Sequence, residues 1–171
     1  MYKEYKFCPN CKNNLYDEEE KLFCKNCDYI FYKNPAPTVA ALPIKENKVL
    51  LTIRKIEPYL GAIDILGGFI KPNESAEEAT IREVKEESGL DIKIAKYINS
   101  YADTYGDDGK PVLSITYIVD IVGGVQKASD DVAELVWVDI NDIPNLNFSG
   151  FKNTKTALMD IYDLYSRGAE N

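Results

Sequence analysis

The chain contains no histidine, which removes the side chain that most often acts as a general base near neutral pH. Any general base must therefore be a carboxylate or a water activated by a metal ion. The chain also lacks an apolar run approaching the roughly 18 residues of a membrane-spanning helix, and residues 1–6 form no signal-like apolar stretch. We therefore expect a cytoplasmic protein with no membrane partner.

An excess of positive charge is also absent. The 171 residues carry a formal net charge of -8, which argues against broad binding of nucleic acids or anionic membranes. An anionic small-molecule substrate stays compatible with this charge, because a bound metal ion would reverse the local field. With 45% hydrophobic and 28% charged residues, the chain has the composition of a globular protein, and its length suits one domain plus a small module.

Cysteine occurs only in two Cys-x-x-Cys pairs, Cys8 with Cys11 and Cys24 with Cys27. Paired knuckles of this kind are typical of a tetrahedral Zn²⁺ site, in which four thiolates leave no place for a water molecule. We predict a structural zinc ion that supplies most of the folding free energy of a module too small for its own core. Two disulfides or an iron site are the alternatives, and a cytosolic location disfavours the disulfides.

The predicted zinc ribbon, residues 1–34, has no basic surface. Its six lysines are balanced by six acidic residues, and it contains no arginine. A phosphate-tracking surface is therefore missing, and we favour a docking or dimerisation module, compatible with a homodimer, over nucleic-acid binding. The turn-rich stretch at 31–37 marks the boundary with a second domain, residues 35–171.

Apolar runs in the second domain predict strands at 38–44, 48–53, 63–66, 92–101, 112–122 and 135–138. The strand at 63–66 is expected to lead into a turn at Gly67 and Gly68, and residues 103–109 form a predicted loop. Apolar residues at helical spacing predict a C-terminal amphipathic helix over 152–166.

Another helix is predicted from its two ends. Ser75 with Glu78 three residues later forms a capping box, and Gly89 is typical of the residue that follows a helix. The helix is therefore expected to run over residues 76–88.

Three glutamates fall within a narrow arc on the last two turns of this helix: Glu83, Glu86 and Glu87. Like charges at this spacing repel, and the negative end of the helix dipole adds to the cost. A divalent cation would relieve both, and Mg²⁺ binds oxygen ligands and substrate phosphates together.

The same stretch resembles the Nudix box, the motif of Nudix hydrolases. It matches every specified position, at Gly68, Glu74, Arg82, Glu83, Val84, Glu86, Glu87, Gly89 and Leu90. The resemblance implies an α/β fold, a Nudix α/β/α sandwich with a mixed sheet, preceded here by the zinc ribbon. It also implies pyrophosphate hydrolysis with Mg²⁺ or Mn²⁺ as cofactor. The alternative is an ordinary acidic, solvated helix, on which Arg82 pairs with Glu78 and Glu86.

The resemblance also implies site roles. The expected magnesium ligands are the Gly67 backbone carbonyl, Glu83, Glu86 and Glu87. Arg82 is expected to orient these carboxylates through bidentate hydrogen bonds, and Glu74 to brace the loop or reach a water near the metal.

The general base within the family is either a box glutamate or an acidic residue on a later loop. Such a loop here contains Asp130, Asp131 and Glu134, and we predict Glu134 as the downstream catalytic residue. Asp130 and Asp131 can equally form a solvated turn.

A ribbon, a linker Tyr32-Lys-Asn-Pro35 and the box together resemble two kinds of Nudix protein. These are the NADH pyrophosphatases and shorter ribbon-containing members associated with FAD or ADP-ribose. The chain lacks the Ser-Gln-Pro-Trp-Pro-Phe-Pro array of the NADH pyrophosphatases, and Pro111 lies too far along to match the downstream proline of ADP-ribose enzymes.

We therefore predict hydrolysis of the pyrophosphate bond in a nucleoside diphosphate linked to another moiety, such as ADP-ribose, NAD(H) or FAD. Tyr101, Tyr105, Phe148 and Phe151 are candidates for stacking on the base of this small-molecule substrate, although any of them can also be a packing residue. The alternative functions are hydrolysis of oxidised nucleoside triphosphates and a non-catalytic nucleotide sensor or zinc-ribbon adaptor.

Overall fold

The strands of the protein follow the apolar runs of its sequence. The computed structural model describes residues 5–106, 109–129 and 131–168. The strands are β1 (Tyr16–Asp17), β2 (Lys21–Phe23), β3 (Ile30–Tyr32), β4 (Ala36–Lys45), β5 (Lys48–Arg54), β6 (Ile63–Asp64), β7 (Leu66–Phe69), β8 (Leu90–Tyr105), β9 (Lys110–Gly124) and β10 (Val132–Asp139). The helices are α1 (Ala76–Ser88) and α2 (Lys152–Gly168), with a 3-10 helix at Ile140–Asn145.

The N-terminal residues form a small antiparallel sheet in the order β1-β2-β3. Each of the two cysteine loops beside it has the same type of backbone turn, closed by a hydrogen bond from the first cysteine. The Cys8 N–H donates to the Asn13 carbonyl at 2.7 Å, and the Cys24 N–H donates to the Tyr29 carbonyl at 2.9 Å. A repeated sequence motif thus corresponds to a repeated turn. The boundary between the two modules at residues 34 and 35 stays a prediction.

The remaining strands form one mixed sheet in the order β10-β5-β4-β9-β8, with β6 beside β5 and β7 beside β4. Strands β4 and β9 are parallel, and the other pairs are antiparallel. Parallel neighbours need a long crossover, and here the crossover contains helix α1 and strand β8. The mixed sheet confirms the predicted fold class.

Each face of this sheet is covered by helix, so the central strands are apolar on both sides. On one face, Val84 of helix α1 packs with Leu50 and Leu66. On the other face, Leu158 of helix α2 and Ile143 of the 3-10 helix pack against the neighbouring strand residues. Burial on both faces explains why strands β4 and β5 are continuous apolar runs, and it gives the α/β/α layering.

Helix α1 has the predicted ends. The Ser75 hydroxyl accepts from the Glu78 N–H at 3.1 Å, and the Glu78 carboxylate accepts from the Ser75 N–H at 2.8 Å. Gly89 ends the helix in the left-handed region with φ 71°. Local sequence therefore sets both ends of the helix that carries the acidic residues.

Two predictions about irregular segments were wrong. Gly67 and Gly68 do not form a turn but lie inside strand β7, paired with Ala40 and Val39 of β4. A Cβ on Gly67 would lie 2.0 Å from the Val39 carbonyl oxygen, so the missing side chain permits strand pairing at this position. The predicted loop at 103–109 starts later than expected, because residues 103–105 belong to strand β8. Gly106 and Gly109 lie in a turn, and residues 107 and 108 are outside the described residues.

Candidate active site

Helix α1 lies with its acidic residues against strand β7. A Cβ on Gly68 would lie 2.6 Å from both Cδ and Oε1 of Glu83, so only glycine admits this carboxylate without displacement. One residue earlier, the Gly67 N–H donates to Oε2 of Glu87 at 2.9 Å. The two glycines of the strand and two glutamates of the helix are therefore in direct contact.

Arg82 connects the acidic side chains at this contact. Its Nε and Nη2 donate to the two oxygens of Glu74 at 2.6 and 2.8 Å, a bidentate pair. Its Nη1 donates to Glu83 at 2.6 Å and to Glu86 at 3.0 Å. The hydrogen bonds from Arg82 and from the Lys71 N–H lower the pKa of Glu74 to about 2. Arg82 thus holds carboxylates in place, and Glu74 braces the strand-to-helix loop.

This pairing differs from that of an ordinary solvated helix. Arg82 pairs with Glu86, as that alternative required, but Glu78 is used by the capping box. The side chains of Arg82, Glu74 and Glu83 retain only 14–19% of their exposure. Shielded, multiply bonded charges of this kind are typical of a site rather than of a solvated surface.

The pKa of Glu87 lies well above its ordinary value. Burial, joined by the negative charges of Glu83, Asp64 and Asp131, raises its pKa to about 8, and the hydrogen bond from Gly67 acts in the opposite direction. A cation at this position would favour the ionised form and displace the proton.

The donor atoms of the site fit a hard divalent cation. Glu83, Glu86 and Glu87 offer carboxylate oxygens, which is the ligand chemistry of Mg²⁺. Gly67, whose N–H donates to Glu87, is the predicted source of a backbone carbonyl. The carboxylate oxygens of the three glutamates do not all lie within 4.8 Å of one another. In the described ranges, the four cysteines are the only group of potential metal ligands that meets this distance. Arg82 Nη1 engages Glu83 and Glu86, and the Gly67 N–H engages Glu87, so a metal ion must compete with these contacts.

The four cysteine sulfurs all lie within 4.8 Å of one another. Cys8 Sγ and Cys27 Sγ are 3.5 Å apart, as are Cys11 Sγ and Cys24 Sγ. In a tetrahedral site with Zn–S bonds of about 2.3 Å, neighbouring sulfurs are about 3.8 Å apart. The cluster therefore fits zinc, and all four thiols are free of disulfide bonds.

A cleft opens beside the two glycines, between the sheet and helix α2. It is lined by Thr38, Val39, Ala40, Arg54, Asp64, Ile65, Gly67, Gly68, Phe69, Tyr101, Tyr105, Val112, Ser114, Thr116, Phe151, Asn153, Thr154 and Ala157. The Tyr105 ring stacks on Phe151 with centroids 5.6 Å apart, and the Phe69 ring meets Tyr105 edge-on at 5.3 Å. The cleft thus combines an aromatic wall with the backbone that contacts Glu83 and Glu87.

The aromatic candidates have separate positions. Tyr105 and Phe151 line the cleft. Phe151 is itself buried, with its ring centroid 4.8 Å from that of Tyr59 and 5.1 Å from Arg54 Cζ. Tyr101 lines it too, but its side chain is buried and its hydroxyl donates to Asp160 at 2.7 Å. Phe148 is not among the lining residues of the cleft. Its ring packs against the hydrophobic core, and Lys155 Nζ lies 5.9 Å from the ring centroid.

Sequence reasoning missed a buried ion pair in the cleft wall. Asp64 accepts from Arg54 Nη1 at 3.0 Å and from the Thr154 hydroxyl at 2.6 Å. Burial raises the pKa of Asp64, while Thr154 and Arg54 act to lower it. The available signal was a single acidic residue inside the apolar run 63–66.

The downstream acidic residues divide between two environments. Glu134 is exposed on strand β10, opposite Ile53 of β5. Asp131 contributes to the raised pKa of Glu87, and the Ser129 N–H donates to the Glu87 backbone carbonyl at 3.0 Å. Asp130 lies outside the described residues. Among these residues, the charge of Asp131 acts on the glutamate site through Glu87.

Comparison with known protein families shows the family to which this chain belongs. The model of the NUDIX domain matches residues 34–158, most of the chain. The protein belongs to the NUDIX family. The predicted membership and the predicted enzyme class, a Nudix hydrolase, are confirmed.

Two curated relatives differ in how much of them the chain covers. It is 39% identical over 127 residues to an ADP-ribose pyrophosphatase of Methanocaldococcus jannaschii, covering 74% of this chain and 75% of that protein. It is 28% identical over 163 residues to the NAD-capped RNA hydrolase NudC of Pseudomonas fluorescens, covering 94% of this chain but 56% of that protein. The chain thus spans about half the length of the NudC relatives that it matches.

Solved structures support the fold. A NUDIX hydrolase from Nitrosomonas europaea superposes with a TM-score of 0.75 at 24% identity, covering 95% of this chain and 93% of that one. The NUDIX domain of Shewanella oneidensis NrtR, solved with ADP ribose, gives a TM-score of 0.63 at 19% identity, covering 78% and 90%. In the described part of the chain, no helix has the length and apolar character needed to cross a membrane.

Proposed function

We propose that this Nudix hydrolase uses Mg²⁺ to cleave the pyrophosphate bond of a nucleoside diphosphate linked to another moiety, with ADP-ribose as the first substrate to test. One observation carries the proposal. The β7 segment that contains Gly67 and Gly68 contacts the glutamates of helix α1 and also lines the aromatic cleft. A base bound in the cleft would place its attached diphosphate beside the glutamates.

Each residue of the site has a proposed role in metal binding or in orienting the metal ligands. Gly67, through its carbonyl, and Glu83, Glu86 and Glu87 would hold Mg²⁺, or Mn²⁺ in its place. The bound ion would neutralise the pyrophosphate charge and activate the attacking water. Arg82 orients Glu83 and Glu86 through the hydrogen bonds described above, and catalysis is then mainly a matter of positioning and charge stabilisation.

The general base is proposed to come from the segment that contains Asp131 and Glu134. Glu134 is the residue predicted from sequence, and Asp131 is the one whose charge acts on Glu87. Comparing Asp131→Asn with Glu134→Gln separates them, because the loss of a general base typically lowers kcat by about 10²–10⁴-fold. A Glu134→Gln enzyme with full turnover would remove Glu134 from the mechanism.

The decisive experiment is a substrate panel with product analysis. ADP-ribose, NADH, FAD and an oxidised nucleoside triphosphate are incubated with Mg²⁺ or Mn²⁺. The proposal expects a nucleoside monophosphate and a phosphorylated partner from one of the first three substrates. Release of pyrophosphate from the triphosphate would favour a nucleotide-cleansing enzyme, and binding without turnover would favour a sensor.

A matched pair of variants links that activity to the site. Glu87→Gln should lower turnover at least a hundredfold, since even outer-shell partners of a metal contribute about 10–100-fold. Glu46→Gln removes a carboxylate from a side chain that is 82% exposed on a hairpin turn, and it should leave turnover unchanged. Equal activity of Glu87→Gln and wild type would contradict the assigned site.

A further inference from the structure

Thr116 carries an unpaired hydroxyl in the wall of the cleft. Its side chain is fully buried, and Oγ1 of Thr116 is the only buried side-chain nitrogen or oxygen without a hydrogen-bond partner in the described residues. Two other buried hydroxyls show the usual pairing. Thr80 donates to the Ala76 carbonyl at 2.7 Å, and Ser88 to the Val84 carbonyl at 2.6 Å. Because a buried, unpaired hydroxyl destabilises a protein, this exception needs a reason.

Thr116 lies in a part of the cleft wall that has small side chains. Thr116 lies on strand β9, opposite Ala40 of β4, and lines the cleft together with Ser114 and Ala157. These neighbours have small side chains, and the rings of Tyr105 and Phe151 stand on the aromatic side of the same cleft. The hydroxyl is shielded from bulk solvent, so a group that reaches it must enter the cleft and displace the side chains that cover it.

The charges of the cleft exclude phosphate from this position. Arg54 is the only cation among the lining residues, and it is engaged by Asp64 at 3.0 Å and by the Pro58 carbonyl at 2.7 Å. The Asp64 carboxylate would repel a phosphate group that entered the cleft. A neutral group with hydrogen-bonding atoms on its edge fits the free hydroxyl and its small neighbours. The Tyr105 ring lies further along the cleft, because Tyr105 pairs with Lys110, six residues before Thr116 on β9.

We infer that Thr116 is a specificity-determining residue whose hydroxyl binds the polar edge of the substrate's adenine base. The inference rests on the proposed function and adds which part of the substrate enters the cleft. A site built around a hydrogen bond discriminates strongly against a ligand that cannot make it, because the buried polar group is then left unpaired. The stability lost in the free protein is offset when the base binds.

The test measures binding rather than turnover, with AMP and ribose 5-phosphate as probes and no added divalent metal. Thr116→Val removes the hydroxyl and keeps the branched shape, Thr116→Ala is a second variant without hydroxyl, and Thr116→Ser keeps the hydroxyl. Calorimetry should show Kd for AMP about 5- to 10-fold higher in Val and Ala variants and within about twofold of wild type in the Ser variant. Binding of ribose 5-phosphate should be equal in all four proteins.

Thermal unfolding of the free proteins provides the second readout. Thr116→Val should have a Tm equal to or above wild type, because no unpaired hydroxyl remains in the folded state. A purely structural threonine would instead give a lower Tm and an unchanged Kd for AMP.

Three results would overturn the inference: unchanged AMP binding in Thr116→Val, an equal loss of ribose 5-phosphate binding, or no AMP binding by wild type. The proposed function fails separately, if wild type binds AMP with this dependence on Thr116 but hydrolyses no member of the substrate panel.

Discussion

The cysteine cluster and the glutamate cluster both consist of side chains of the types that bind metal ions, but they are built in opposite ways. The four thiols come from two loops close in sequence and already lie within 4.8 Å of one another. The glutamates lie on one helix, are held by Arg82 and by Gly67, and need strand β7 to complete the site. A closed ligand shell serves stability, whereas an open one beside a cleft leaves positions for substrate.

Removal of divalent metal should have the largest effect, and it should distinguish the glutamate cluster from the cysteine cluster. Dialysis without a chelator is expected to abolish hydrolysis, because the oxygen ligands exchange Mg²⁺ readily, while the thiolates retain zinc. Activity with and without added Mg²⁺, together with elemental analysis, checks this. Turnover that persists with no Mg²⁺ or Mn²⁺ in the protein would contradict an open metal site at the glutamates.

Cys24→Ser should affect the other cluster alone. In small zinc modules the ion contributes on the order of 10 kcal/mol, so loss of one thiolate is expected to release zinc and unfold strands β1–β3. Hydrolysis should stay within a few-fold of wild type, because the glutamate site is built from β7 and α1. Zinc content and circular dichroism provide the measurements, and Asn10→Ser in the first knuckle is the control. A zinc-loaded Cys24→Ser protein would argue against a four-thiolate site.

Gly68→Ala tests the contact between strand and helix. The added Cβ would lie 2.6 Å from Glu83, so the carboxylate must move, and we expect kcat/KM to fall about 10–100-fold. Gly123→Ala is the matched control, since its Cβ would meet Asp91 Oδ2 at 3.4 Å, outside the site. If both variants have wild-type kinetics, the position of Glu83 is unimportant for the reaction.

Tyr105→Leu and Phe148→Leu separate the aromatic candidates. Tyr105 lines the cleft, so its loss should raise KM several-fold with little change in kcat, as expected for about 1 kcal/mol of stacking energy. Phe148 packs against the core, so its substitution should lower the Tm with little change in KM. The reverse pattern of KM and Tm would place the base at Phe148 rather than at Tyr105.

Much of the fold could be predicted from short stretches of sequence. Ser75, Glu78 and Gly89 define the ends of helix α1, because capping bonds join residues only three or four positions apart. The two Cys-x-x-Cys pairs likewise predict the cluster that the structure contains. Local hydrogen bonds and local spacing are visible in sequence, and these elements depend on little else.

The wrong predictions share a physical cause. Gly67 and Gly68 have the local preference of a turn, but pairing with strand β4 and the approach of Glu83 keep them extended. Residues 103–105 likewise lie in a predicted loop, but pairing with strand β9 keeps them in strand β8. Tertiary contacts decide such cases because they outweigh local preference.

The chain's own residue order thus sets the helix, its three glutamates, the family motif and the paired cysteines, since each depends on spacing within a few turns or loops. Tertiary structure alone brings Asp64, Asp131 and Glu87 into electrostatic contact and places the unpaired hydroxyl of Thr116 in the cleft wall. These residues come from different strands and loops. Their pairing depends on the order and register of strands across the sheet, which no local pattern encodes.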